Sequence, residues 1–397
     1  MPSFWDMWET LRAFGCDADG GTSRLAFSDA DVKSRHYILQ CMEEAHLTAR
    51  IDGVGNVVGL RGSPPFVLVG SHTDTVPQGG NYDGIVGALA AIDVACRWTD
   101  TARHGLIVVD WSSEESSRFG ISTIGSRAAL GELVDTSWET SDRDGITLKK
   151  AAHQAYGYPK TRIWQVPTRD IRAAIELHIE QGHELLDARQ SVAVVSGIAA
   201  PQRWAVALSG KPDHTGSAAM NSRHDALCGA AELVLMVEAT SRQLEHQGLR
   251  TTVSRMVTHP GVSNIVPYQV ELLIDVRAQS EVLRSAYERA LEERLDQLRH
   301  TRGLKSIRTV ISLEEPSELS RDVMDMIRQA AKTLGITCDP IISWPSHDSL
   351  ALARHLPAGM IFVRNVSGVS HQSDEFCDAE DINLGIQLFE AALAHYM

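Results

Sequence analysis

The chain has 397 residues and a net charge of −14, with 43% hydrophobic and 22% charged residues. That length exceeds what one simple core accommodates, so two domains are expected. No Lys/Arg excess exists to neutralise phosphates, which argues against nucleic acid as the main partner, whereas a small anionic substrate stays compatible because a site can be locally positive.

The opening MPSFWDMWETLRAFG has no basic stretch leading into an apolar one, so no signal peptide is expected. No apolar run reaches ~18 residues, so no membrane span is expected. Asp29 to Ala45 reads as a helix capped by Ser28 or Asp29. Asp52-Gly-Val-Gly-Asn-Val-Val-Gly59 superficially suggests a dinucleotide loop, but it neither follows a clear strand nor opens a helix, and it reads as a hairpin turn. Phe66–Gly70 is a continuous apolar run of the kind found in buried parallel strands, and Leu106–Trp111 reads as another buried strand. The Ala-rich stretch Gly84 to Trp98 lies between them as a helix, and Ala173–Leu177 is a weaker strand. This alternation predicts a mainly parallel α/β sheet.

Near Pro201 the texture changes. Trp204–Ser209 and Val270–Arg277 read as strands, and His224 to Leu244 and Ser280 to Arg299 as long helices. This β–α–β–α block predicts a separate α+β unit. The α/β pattern resumes after Pro316, with a strand at Met360–Val363 and a closing helix at Ile382–Tyr396. The expected architecture is therefore an α/β domain at 1–200 and 316–397, a mainly parallel mixed sheet flanked by helices, interrupted by an α+β domain at 201–315. Six scattered cysteines without a CxxC pair read as free, mostly buried thiols in a reducing, cytoplasmic setting.

Chemistry-bearing residues gather just after the predicted strands. They are Ser71-His-Thr-Asp74, Ser113-Glu-Glu115, His178-Ile-Glu-Gln-Gly182 and Ser370-His371, while Asn81-Tyr-Asp83-Gly84 opens the helix after the first. An open α/β sheet places its site at the carboxyl ends of its strands, so these segments converge on one rim. Taken singly the signals are weak: a lone His after a strand is more often a satisfied polar residue, and adjacent glutamates are usually a solvated pair. Jointly, three histidines, one aspartate and one glutamate suit two metal ions with a bridging carboxylate. No thiolate takes part, which fits a catalytic rather than a structural site.

Four motifs in this order resemble one family: Gly70-Ser-His-Thr-Asp-Thr-Val-Pro77, Gly79-Gly-Asn-Tyr-Asp-Gly84, Glu114-Glu-Ser-Ser-Arg-Phe119 with Gly125-Ser-Arg127, and Glu176-Leu-His-Ile-Glu-Gln-Gly182. The resemblance is to the hydantoinase/carbamoylase branch of the dinuclear zinc amidohydrolases. That branch includes N-carbamoyl-L-amino-acid hydrolases, allantoate amidohydrolases and β-ureidopropionases, and it is related to aminoacylases and carboxypeptidases. It spans Asp52 through Glu375. It implies His72 and His178 on one metal, Asp83 as the bridge, and Glu115 with His371 on the other. Zinc is the expected ion, with manganese, cobalt or nickel compatible. Asp74 would orient the ring of His72. Glu114 would be the general base, taking a proton from the attacking water and delivering it to the leaving nitrogen, while the metals polarise the carbonyl and activate the water.

The same resemblance extends into the inserted domain, which it implies is a lid and homodimerisation domain. Gly210-Lys-Pro-Asp-His-Thr-Gly216 with Met220 and Arg223-His-Asp-Ala226, Ser263-Asn-Ile-Val-Pro267 and Asp275-Val-Arg277 carry it. His214 would stabilise the oxyanion from the partner subunit. Asn264 and Arg277 would hold a substrate carboxylate. Gln181 and His347 are further substrate-binding candidates. Read alone, Arg277 could be an exposed strand residue and Asn264 a turn former. One segment departs from the pattern: Ser343-Trp-Pro-Ser-His-Asp348 has Trp344, Pro345 and Ser346 where the family usually has Gly-Ala-Gly, and Thr215 replaces a small residue after His214.

The expected activity is metal-dependent cleavage of a linear amide C–N bond in an N-carbamoyl or ureido amino acid. Two alternatives are an N-acyl amino acid hydrolase or dipeptidase with the same metals and an altered pocket around Trp344, and a non-catalytic ligand-binding descendant. The last predicts a lost ligand or base, yet all six of the residues concerned are present.

Overall fold

The apolar runs at 66 and 106 become strands buried at every residue, as expected where helices cover both faces of a sheet. The computed structural model describes residues 2–99, 101–157 and 162–397. Its strands are β1 Thr48–Ile51, β2 Val57–Arg61, β3 Phe66–His72, β4 Gly105–Trp111, β5 Ile171–Ile179, β6 Val192–Ile198, β7 Ala200–Ser209, β8 Leu249–His259, β9 Gln269–Ala278, β10 Lys305–Leu313, β11 Ser317–Glu318, β12 Pro340–Ser343 and β13 Ala358–Val363. Contacts divide the chain into Met1–Ser196 with Glu318–Met397, and Gly197–Ser317.

The first, discontinuous unit is built on a sheet of order β1-β2-β4-β3-β5-β13-β6-β11, with β12 paired to β6. Its centre is parallel: β3 runs with β4 and β5, and β5 with β13. The flanks are antiparallel, through β1–β2, β2–β4 and β13–β6. The stretch 52–56 joins β1 to β2 as a hairpin, so it binds no dinucleotide in a Rossmann manner. Helix Ile85–Arg97 lies so close to β5 that a Cβ on Gly87 would sit 1.8 Å from the Leu177 carbonyl oxygen. Val67, Val69, Leu89, Ile92, Val108, Ile175 and Phe389 are among the residues packed into the core.

The second unit is an antiparallel sheet of order β10-β7-β9-β8. Helices Ala226–Leu244 and Glu281–Arg302 contribute to one core with it, around Trp204, Leu233, Ile274 and Leu291. The expected β–α–β–α block is corrected here: β8 and β10 are two further strands. Both are edges, and Ile307, Val310, Ile311 and Leu313 of β10 are exposed, so burial imposes no alternation there to read. Asp225 caps the first helix by accepting the Leu227 and Cys228 N–H groups, so that helix starts after His224.

All six cysteines are free; Cys41, Cys338 and Cys377 are buried, Cys96 half-buried, and Cys16 and Cys228 exposed, fewer buried than the sequence suggests. Among the described residues no helix is long and apolar enough to cross a membrane.

Candidate metal centre

Each chemistry-bearing segment leaves the carboxyl end of one of the four parallel strands. His72 closes β3, and Asp83 precedes helix Ile85–Arg97. Glu114 and Glu115 follow β4, His178 is the penultimate residue of β5 with Gln181 just beyond, and His371 follows β13. Among the described residues three groups of potential ligands result; Glu176, His178 and His347 form one, and the other two meet at Asp83. Of these two, His72, Asp83 and His178 form one, and Asp83, Glu115 and His371 the other, each offering donor atoms within 4.8 Å of one another. Asp83 belongs to both.

The geometry within these groups suits cations. His178 Nδ1 lies 2.9 Å from the Ile179 carbonyl oxygen, so the proton sits there and Nε2 presents a lone pair. That Nε2 lies 3.3 Å from Asp83 Oδ1. Both atoms are buried, and neither has a hydrogen-bond partner among the described residues. A lone pair facing a carboxylate oxygen leaves an electron-rich pair that a cation satisfies. On the other side His371 Nε2 is 3.1 Å from both Asp83 Oδ2 and Glu115 Oε1. The Gln181 side-chain amide donates to Asp83 Oδ2 at 2.8 Å. Burial opposes charge on His371, yet Asp83 and Glu115 hold its pKa up at about 11 without a metal. The site thus has a strong demand for positive charge. Imidazole nitrogens and carboxylates without thiolates form a donor set for zinc and related ions.

Glu114 Oε2 stands 3.9 Å from His72 Nε2. Burial, then the adjacent Glu115 and Asp348, push its carboxyl well above the usual range. Burial also holds His72 below the usual imidazole value, despite Asp83, which favours the neutral, ligating form.

Asp74 reaches the His72 ring through its main chain and not through its carboxylate. The His72 ring is within hydrogen-bonding distance of the main-chain oxygen of Asp74, at 3.1 Å, while the Asp74 carboxylate is 3.8 Å away. The carboxylate instead accepts the N–H groups of Glu114 and Glu115, each at 3.1 Å. Behind it lies a buried ion cluster in which Arg35 meets Asp31 at 2.9 Å, Asp110 at 3.1 Å and Asp74 at 3.5 Å. Arg24, also fully buried, donates to the main-chain oxygens of Thr73, Leu11 and Phe14. On the other side Glu375 accepts the N–H groups of Tyr82 and Asp83. Sequence reasoning passed over all of these. Arg35 had one readable signal: it shares a helix stripe with Asp31, Ile38 and Met42, an apolar face on which an arginine needs an internal partner.

The remaining candidates are dispersed. His347 is 1% exposed, its ring packed 4.3 Å from that of His178 and its Nε2 2.9 Å from Ser343 Oγ. His347 thus backs the ring of His178. Trp344 donates its indole N–H to Glu184 at 2.9 Å. In the second unit His214 is exposed, its Nδ1 accepting from the Gly216 N–H at 3.0 Å, which leaves Nε2 as a donor. Asn264 lies alongside, bridged through Ile265–His214 pairing and the Thr215 N–H to its carbonyl. Arg277, paired with Asp275 at 3.0 Å, sits near the opposite end of β9. At about 3.3 Å per residue, the strand separates it from the start of β9 by roughly 26 Å. One copy of this unit therefore does not bring Asn264 and Arg277 together.

Residues 68–395 match the profile of peptidase family M20/M25/M40. The chain belongs to that family. It is 32% identical to an N-carbamoyl-L-amino-acid amidohydrolase of a Pseudomonas species, across 98% of this chain and 96% of that one. It is 34% identical to a ureidoglycolate hydrolase of Arabidopsis thaliana, across 99% and 86%. A crystal structure of a hydantoinase/carbamoylase family amidase from Burkholderia multivorans superposes with a TM-score of 0.88 at 30% identity, covering 99% of this chain and 97% of the other. Within M20/M25/M40 the chain thus falls in the hydantoinase/carbamoylase branch. The family is metal-dependent, in keeping with the ligand groups around Asp83.

Proposed function

We propose that this chain is a metal-dependent amidohydrolase that cleaves a linear C–N bond of an N-carbamoyl or ureido amino acid or a close analogue. The observation that carries the reading is the sharing of Asp83 by two ligand groups beside the buried carboxyl of Glu114. The amidohydrolase and ureidoglycolate hydrolase relatives support the substrate class.

In this reading His72, Asp83 and His178 hold one divalent ion, and Asp83, Glu115 and His371 a second. Zinc fits the donors first, with manganese, cobalt or nickel compatible. Such an ion pair polarises a carbonyl and lowers the pKa of water. Glu114 accepts the proton of the attacking water and returns it to the departing nitrogen. Asp74 keeps the two glutamates apart by gripping both N–H groups. Gln181 offers its amide to the substrate. His214 Nε2 donates to the developing oxyanion, and Arg277 with Asn264 binds the substrate carboxylate. Because Arg277 lies far along β9 from His214 and Asn264, a single site draws these residues from two subunits of a homodimer. Water adds once: a carbamoyl substrate yields ammonia, carbon dioxide and the free amine.

The test is a product assay on metal-loaded protein against N-carbamoyl, ureido and N-acyl amino acids, scoring ammonia and amine separately. Ammonia with amine from a carbamoyl or ureido substrate is expected. Amine without ammonia, from acylated substrates alone, replaces this reading with an acyl-amino-acid hydrolase.

A further inference from the structure

Between His72 and Asp83 the chain has no helix or strand of its own, yet both ends of this loop carry proposed ligands. A loop of this kind is held only by what packs against it. Several of its partners come from the first two dozen residues, a segment outside the matched family profile, which begins at residue 68. Thr22 exchanges two main-chain hydrogen bonds with Gly79, each 2.9 Å, while the Arg24 carbonyl accepts the Thr75 N–H at 3.0 Å and the Arg24 N–H donates to the Thr75 hydroxyl at 2.8 Å. The grip is closest at Asn81, two residues before Asp83. Its Oδ1 accepts from Thr22 Oγ1 at 2.7 Å, its Nδ2 donates to the Gly20 carbonyl at 3.0 Å, and its own carbonyl accepts the Trp8 indole N–H at 2.8 Å. The Trp8 ring also lies 5.3 Å from Tyr82. Thr22 is fully buried, so its hydroxyl has no water to replace Asn81.

We infer that Trp8 and Thr22 are positioning residues for the shared metal ligand: through Asn81 they fix the turn that aims the two Asp83 oxygens at the two histidine sets. The inference rests on the two-metal reading above. Asn81 receives the N-terminal segment on one side, and Glu375 holds the Tyr82 and Asp83 N–H groups on the other. Neither Trp8 nor Thr22 belongs to either ligand group, so their effect on the metals passes through that turn.

The experiment compares Thr22→Val, which removes the hydroxyl at nearly constant volume, with Trp8→Phe, which keeps a ring and removes the donor. Trp5→Phe is the control, because the Trp5 indole, on the same helix Phe4–Arg12 as Trp8, donates to Asn383 instead. Zinc affinity and stoichiometry are measured by competition with a chromogenic chelator, with circular dichroism to verify folding. Loss of an outer partner typically costs about 10–100-fold in metal affinity. Thr22→Val and Trp8→Phe are expected to weaken zinc binding at least about tenfold, with Thr22→Ser restoring it and Trp5→Phe close to wild type. Wild-type affinity in folded Thr22→Val and Trp8→Phe overturns the inference, as does an equal loss in Trp5→Phe, which signals general destabilisation. If Thr22→Val does not fold, Trp8→Phe against Trp5→Phe decides. A wild-type protein that binds fewer than two ions overturns the two-metal reading itself, an outcome separate from insensitive variants.

Discussion

Asp74 precedes Glu114 by 40 residues, yet its carboxylate receives the main-chain N–H of that glutamate at 3.1 Å. The next N–H, of Glu115, reaches the other oxygen, and the two side chains then part, Glu114 toward His72 and Glu115 toward His371. Two chemically identical neighbours are thereby given different work. Glu114→Gln is expected to lower kcat by about 10²–10⁴-fold while retaining both ions. Glu115→Gln is expected to lose metal first. Element analysis alongside kinetics checks this, and metal loss from Glu114→Gln reverses the assignment.

The pH profile follows from Glu114. Burial, with Glu115 and Asp348, favours its protonated form, so its pKa lies above the ordinary carboxylate value. A base works only when deprotonated, so kcat/KM is expected to rise with pH beyond about 4.3, where an ordinary glutamate is already half ionised. Bound cations offset the repulsion from neighbouring carboxylates, whereas burial persists. An acid limb at the ordinary glutamate value contradicts this.

Asp83 serves both groups, and His371 only one. Asp83→Ala is expected to bind neither ion tightly, while His371→Ala retains one, as counted by mass spectrometry of the metal. A chelator should abolish activity and lower the melting temperature as well. At metal concentrations of 100 times Kd the bound ion contributes about 2.7 kcal/mol to the folded state.

Arg35 is the cation among the buried carboxylates Asp31, Asp74 and Asp110. Removing it takes away their direct ion-pair partner and leaves only the more distant Arg24 as a buried cation near all three. Arg35→Met is expected to destabilise the protein by about 3–5 kcal/mol, read from denaturant titration. Little change would mean that the carboxylates are neutral in the folded protein. Burial does push Asp110 up to about 7 and Asp74 to about 6, with Arg35 acting against it in both.

The shared site predicts complementation. His214→Ala and Glu114→Ala proteins, each inactive, should regain about a quarter of wild-type activity after subunit exchange, since half the dimers are mixed and each has one intact site. No recovery in verified mixed dimers argues for self-contained subunits.

What could be read in the sequence depended on burial and locality. Phe66–His72 and Gly105–Trp111 are buried throughout, and their apolar runs Phe66–Gly70 and Leu106–Val109 are legible because both faces are covered; the ligands could be found because they close or directly follow such strands. β8 and β10 lie at sheet edges, and there mixed polar residues carry no period. The roles of Glu375 and Thr22 depend on contacts 293 and 59 residues away in the chain, which no local pattern records. His347 was read by its type, but it lies buried against His178.

Ser370, the neighbour of His371, lies 287 residues from Asp83, with the whole second unit between them in the chain. During synthesis His72, Asp83 and His178 leave the ribosome long before His371. The two ligand groups are therefore completed at different times, one before the inserted unit is made and the other after it. A chain stalled within that insertion carries half of a metal centre, with Glu115 still awaiting its histidine.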